Sequence, residues 1–309
     1  MRPLFRILFI LTILLSVQLP FTAEAAQGPL AVTVSIPPLK YFVEQIGGGN
    51  VDVTVMAAKG QDPHTYEPTA SQMKGISGSE LYFAIGVPFE TQWLPKFRSM
   101  NPSLRVISLD VVDRIKGKPD LALRDTLPGK GRQQHNHGHY HHSLETDDPH
   151  VWMSPMNMRH AIPVIAEALG EKRPDLKESF SKRAEALQGD IVGLEAHIRE
   201  LFAPLSRRTF LTFHQSWAYY AHDFTLREVS VELDGRQPGP KSMAMLMHFA
   251  KDNNITVIVA DVMTSRSAVD AIARNINATV VIASPLEENW PDALMDFSQK
   301  LAAAMQGKK

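Results

Sequence analysis

No cysteine occurs anywhere in the 309 residues. No disulfide framework can therefore brace the fold, and no lipid can be attached through a cysteine at a processing site. An excess of charge of one sign is also missing, since 32 basic residues face 33 acidic ones for a formal net charge of -1. That balance argues against nucleic acid and anionic membrane surfaces as partners. Beyond residue 25 no apolar run is long enough to span a bilayer, so no stable membrane insertion is expected. Catalytic strings are lacking too: the chain has no His-Glu-x-x-His and no serine elbow.

The one long apolar run lies at the start. Arg2 and Arg6 precede a stretch from Ile7 to Leu19, and Ala23-Glu24-Ala25 offers small residues where a signal peptidase cuts. This is the pattern of a secretory signal peptide over residues 1–25, and it is too short for a comfortable transmembrane helix. Its removal takes Arg2, Arg6 and Glu24 and moves the formal charge from -1 to about -2. The address it implies is a bacterial periplasm. A mature chain of this length buries large cores without disulfides and suits two domains as readily as one.

Apolar patterning then alternates between short β-rich runs and helical stretches. Strands are predicted at 31–36, 51–56, 81–85 and 105–109, with helices between them at about 37–46, 69–77 and 89–100. Residues 113–147 carry glycine, proline, charge and a histidine run without an apolar face, and they read as a long mobile loop. A helix follows Pro155 to about residue 169. Pro174 is placed to open a longer one over 174–203, with Leu176, Phe180, Ala184, Leu187, Ile191, Leu194, Ile198 and Leu201 forming one stripe. At about 1.5 Å per residue it would be roughly 45 Å long, enough to cross between two lobes. The βα pattern restarts with strands at 208–213, 228–233, 255–260 and 279–283.

The expected fold is therefore α/β. Two βα-repeat lobes, each a mostly parallel four-stranded sheet flanked by helices, are joined by a long rigid helix. The N-terminal lobe spans 26–155, the connecting helices 156–205 and the C-terminal lobe 206–309. A cleft between such lobes, bounded by the carboxyl ends of strands, is the default ligand site.

Three histidines sit where that cleft should be. His64 lies in GQDPHTYEP, His150 in DDPHVWMSP and His214 in FLTFHQSWAYYA. Two of them follow an Asp-Pro pair, where the proline restrains the backbone and the aspartate can orient a nearby loop or imidazole. Three imidazoles converging from both sides would suit zinc, with one coordination position left for a carboxylate or water. His160, His197, His222 and His248 fall within helices and are read as structural or solvated. Tyr66, Trp152, Trp217 and Tyr219 could wall the cleft or simply pack.

Residues 60–68, 148–152 and 210–220 resemble the motifs of the metal-binding subfamily of periplasmic solute-binding proteins of ABC transporters, and the likeness is greatest to its high-affinity zinc-binding branch. The order of lobe, histidine-rich loop, connecting helix and second lobe fits as well. The resemblance implies a monomeric, non-catalytic protein that captures a zinc ion, Zn2+ being cargo, and delivers it to a permease in the inner membrane. In manganese-binding relatives the position matching His214 is typically a carboxylate, so histidine there implies zinc over manganese or iron. A periplasmic zinc hydrolase is the remaining alternative.

The family pattern is broken late in the second lobe. Ser284 stands where relatives supply an aspartate, and Asp261 where they often carry a glutamate. Water is then the first choice for the fourth ligand, ahead of Glu287, Glu288 or a loop residue. The segment from 131 to 152 holds six of the chain's 12 histidines. Of these, His135, His137, His139, His141 and His142 lack any neighbour that could fix their geometry, so they read as an accessory arm that concentrates metal and could form a second site. Because imidazole binds metal only when neutral, affinity is expected to fall as pH drops through about 6 to 7.

Overall fold

The computed structural model describes residues 28–110, 148–232 and 239–307. The signal peptide expected over residues 1–25 and the loop expected over 113–147, with the five-histidine tract, lie outside the described residues.

The first lobe runs β1 (Leu30–Val34), α1 (Pro37–Gly47), β2 (Val51–Val55), α2 (Ala70–Ile76), β3 (Leu81–Ala84), α3 (Pro88–Met100) and β4 (Arg105–Ser108). The second begins with β5 (Thr209–Thr212), α6 (Ala218–Asp223) and β6 (Arg227–Ser230). It continues with α7 (Pro240–Asp252), β7 (Val257–Ala260), α8 (Arg266–Ile276), β8 (Thr279–Ile282) and α9 (Trp290–Met305). Between the lobes stand α4 (Pro155–Lys172) and α5 (Lys177–Phe202). Both sheets are four-stranded and every recorded pairing is parallel, in the orders β2-β1-β3-β4 and β6-β5-β7-β8. The two lobes thus share one strand order, and each places its topological switch between the two central strands, where α/β sheets bind ligands.

Local sequence explains these elements. Central strands β3 and β7 are buried at every position, as expected of parallel strands covered on both faces. Edge strand β2 alternates between partly buried and exposed positions, the period of two of a half-covered strand. Helices α1, α3, α4, α7 and α9 carry proline in their first turn, where its missing N–H has no partner to lose.

The helix expected from Pro174 starts later. Proline disfavours the helical conformation at the preceding Arg173, which adopts φ -129° and ψ 76° and ends α4. Pro174–Leu176 then forms a 3-10 turn, closed by two hydrogen bonds of 2.8 and 3.0 Å from the Arg173 guanidinium to Asp175. From Lys177 the helix is regular for 26 residues, about 39 Å at about 1.5 Å per residue. Its buried stripe is Phe180, Ala184, Leu187, Ile191, Ile198 and Phe202.

That stripe joins the lobes. α5 packs against α4 and α1 on one side and against α9 on the other. A single apolar cluster includes Val32, Leu39 and Phe42 of the first lobe, Phe180 and Ile198 of α5, and Phe210, Val259 and Phe297 of the second. A smaller cluster, with Leu211, Ile258, Leu246 and Ile272, covers the opposite face of the second sheet under α7 and α8. Neighbouring residues of β5 and β7 divide between the two clusters, as alternate strand positions must. Among the described residues no helix is long and apolar enough to cross a membrane.

Candidate metal centre

His64 follows β2, His150 precedes α4 and His214 follows β5, so three segments far apart in the chain each bring one imidazole to the cleft. Ring centroids are 5.4 Å apart for His64 and His150, 5.1 Å for His64 and His214, and 5.5 Å for His150 and His214. One ring nitrogen of each lies within 4.8 Å of the others, and among the described residues this is the one such group of three or more potential ligands.

The two Asp-Pro-His strings fold alike. The Asp62 carboxylate accepts the His64 backbone N–H at 2.9 Å, and that of Asp148 accepts the His150 backbone N–H at 3.0 Å. Each is a local turn in which an aspartate stands in for a backbone acceptor two residues ahead. Gly60, at φ 84°, turns the chain into the first of them.

Asp148 does more. Its Oδ1 also meets Nδ1 of His150 at 2.6 Å, which leaves Nε2 of that ring for a ligand. Burial alone would raise the Asp148 carboxyl, but the adjacent His150 charge and its hydrogen bonds prevail and hold it below the usual aspartate range. Tyr219 ties this residue down from the second lobe by donating to its carbonyl at 3.2 Å. At His214 the corresponding partner is Glu232, whose Oε2 lies 3.0 Å from Nδ1. Nε2 of His214 is buried with no hydrogen-bond partner among the described residues. A buried, unpaired nitrogen beside two other imidazoles fits a metal ion, whose bond would satisfy it.

His64 is shifted most clearly. Burial, then the neighbouring His150 and His214 when charged, lowers its pKa from 6.5 to about 4. It therefore keeps a free lone pair well below the pH window expected of a free histidine.

Two fourth-ligand candidates, Glu287 and Glu288, are engaged elsewhere, and the loop candidate lies outside the described residues. Lys59 donates to Glu287 at 3.0 Å and Lys40 donates to Glu288 at 2.6 Å, both across the lobes. Ser284 accepts the Leu286 N–H at 3.3 Å and Asp261 accepts the Met263 N–H at 2.8 Å, so each closes a turn of its own loop. Trp152 has its ring 5.0 Å from that of His150 and donates to the Pro285 carbonyl at 2.7 Å. Trp217 instead stacks on Phe297 at 3.7 Å, and Tyr66 packs on Phe89, so both are core residues. His160, His197, His222 and His248 are exposed on α4, α5, α6 and α7.

Glu228 and Glu232 were not singled out from sequence. Both come from or follow β6, and only the register of that strand against β5 brings them to the His214 loop. A glutamate at a position due to be buried in a strand was the available signal.

The family described as "Zinc-uptake complex component A periplasmic" (ZnuA) matches residues 32–306. The chain belongs to this family. A crystal structure of ZnuA superposes with a TM-score of 0.77 at 31% identity, covering 90% of this chain and 99% of that one. A ZnuA deletion mutant with zinc bound gives 0.76 at 33% identity, covering 89% and 98%. The zinc-binding lipoprotein AdcA of Streptococcus pneumoniae serotype 4 is 27% identical over 272 residues, 85% of this chain and 51% of its own length. The chain thus spans about half the length of the curated relatives that head the comparison. The family's description is that of a component of a zinc-uptake complex.

Proposed function

We propose that the protein captures zinc in the periplasm through His64, His150 and His214 and hands it to an ABC-type permease in the inner membrane. The observation that carries this reading is the convergence of three imidazole nitrogens to within 4.8 Å of one another. Nitrogens sharing a zinc at about 2.0–2.1 Å in tetrahedral geometry are about 3.3–3.4 Å apart, so each ring needs to move inward by less than about 1 Å. Nitrogen donors favour zinc over manganese, which prefers oxygen. The family's description as a zinc-uptake component, and the zinc-bound ZnuA relative, support the same metal. Water is the fourth ligand in this reading, because Glu287 and Glu288 are held by lysines. The lobes of 26–155 and 206–309, with the 156–205 helices between them, flank the cleft that holds the ion.

Zinc titration by calorimetry with His64→Ala, His150→Ala and His214→Ala tests this directly. Loss of an outer-shell partner typically costs 10–100-fold in metal affinity, so loss of a ligand should cost more than about 100-fold in each variant. Tight 1:1 zinc binding by any one of the three would remove that histidine from the site.

A further inference from the structure

Two of the three site loops are braced from within. Asp62 and Asp148 each fix the backbone of the histidine two residues later. His214 has no such aspartate; phenylalanine precedes it and threonine stands two residues before. Its loop is nevertheless held, and the holder is Glu228 from the neighbouring strand β6.

Glu228 is buried, with 8% of its surface exposed. Its Oε1 accepts from the Thr212 hydroxyl at 2.7 Å, the Ser216 N–H at 3.1 Å and the Trp217 N–H at 3.2 Å. Its Oε2 shares the Trp217 N–H at 3.2 Å. These donors bracket His214 in sequence, two residues before it and two or three after. Ser216 closes the bracket by donating from its hydroxyl to the His214 carbonyl at 3.4 Å. Among the described residues no lysine or arginine neutralises Glu228, and the charged group it feels is Asp148, a second carboxylate. Burial, aided by Asp148, pushes its carboxyl up to about 7 against the pull of its hydrogen bonds. A buried glutamate without a counter-ion is costly to keep, and apolar isosteres would remove that cost if packing were its task.

We propose that Glu228 is a positioning residue of the zinc site, doing from strand β6 for His214 what Asp62 and Asp148 do within their own turns for His64 and His150. It sets the path of residues 213–217 so that the His214 ring projects toward the other two, while Glu232 sets the rotation of that ring. This rests on the three-histidine reading of the site. The first lobe contains a related tie in Glu90, which accepts the Ile85 and Gly86 N–H groups at 2.9 Å after β3. That loop carries no site histidine, so loss of Glu90 provides the purely structural comparison.

The test uses the full chain with Glu228→Ala, Glu228→Gln and Glu90→Ala, measuring zinc affinity, thermal unfolding and the visible spectrum of the cobalt(II)-loaded protein. Glu228→Ala should still bind one metal, about 10–100-fold more weakly, with a cobalt spectrum displaced from that of the unaltered protein. Glu228→Gln keeps an oxygen for Thr212, Ser216 and Trp217 and should fall between the two; it carries the test if Glu228→Ala does not fold. Glu90→Ala should lower the melting temperature without moving the spectrum. Unaltered zinc affinity and cobalt spectrum in both Glu228 variants would overturn the proposal. His214→Ala serves as the control: if it binds zinc tightly, the zinc-site reading itself has failed, whatever Glu228 does.

Discussion

A zinc ion competes with protons for each imidazole, and the cleft decides how hard that competition is. His64, with its pKa lowered from 6.5 to about 4, is already neutral at any pH where a free histidine would still be half charged. Between those two values the unfolded chain binds a proton that the folded chain refuses. The contribution of His64 to stability is therefore fully present above about 6.5 and is lost as pH falls toward 4. An NMR titration of the metal-free protein should place the His64 midpoint near 4, and a midpoint near 6.5 would contradict the partly buried, three-ring environment. Zinc binding at neutral pH should release no proton from this ring. The Asp-Pro-His strings made His64 and His150 legible in the sequence, because the orienting aspartate is two residues from the ring it serves. Glu232 and Glu228 were not legible, since they act from another strand and sequence distance hides a contact set by sheet register.

Whole elements were easier to read than single contacts. Fully buried strands such as Leu81–Ala84 and Val257–Ala260 announce themselves as short apolar runs, and the stripe from Phe180 to Phe202 keeps helical spacing throughout. The misplaced start at Pro174 has a local cause: a proline fits the first turn of a helix and equally a 3-10 turn, and the Arg173–Asp175 pair selects the latter. Helix α5 is also where the stability of the two lobes is linked. Ile198 is fully buried in the cluster that both lobes share. Ile198→Ala should destabilise the protein by about 2–5 kcal/mol. Calorimetry should show one shifted transition, because the larger core runs through α5 into both lobes and couples their unfolding. Two separated transitions would mean that the lobes melt apart.

At the scale of the molecule, that shared core limits how far the lobes can swing. The Trp152 and Trp290 indoles reinforce it, the first donating to Pro285 and the second to the Trp152 carbonyl at 2.8 Å, so the His150 segment is fastened to the loop after β8. In the proposed function, zinc capture then consists of sub-ångström movement of three rings more than of domain closure. The cross-cleft pairs Lys59–Glu287 and Lys40–Glu288 belong to this fastening and not to the metal, a division that residue type alone could not supply because a glutamate near a zinc site is equally eligible as a ligand. Exposed ion pairs of this kind contribute about 0–1 kcal/mol each. Replacing Glu287 and Glu288 together by glutamine, which keeps their size and removes their charge, should therefore change zinc affinity by no more than about thirtyfold even if both pairs act fully through the closed form. The residual effect should shrink further at high salt, where exposed pairs are screened. Were either glutamate to enter the coordination sphere, the loss would exceed 100-fold and persist in salt, as for the histidine variants, and water would have to give up the fourth position.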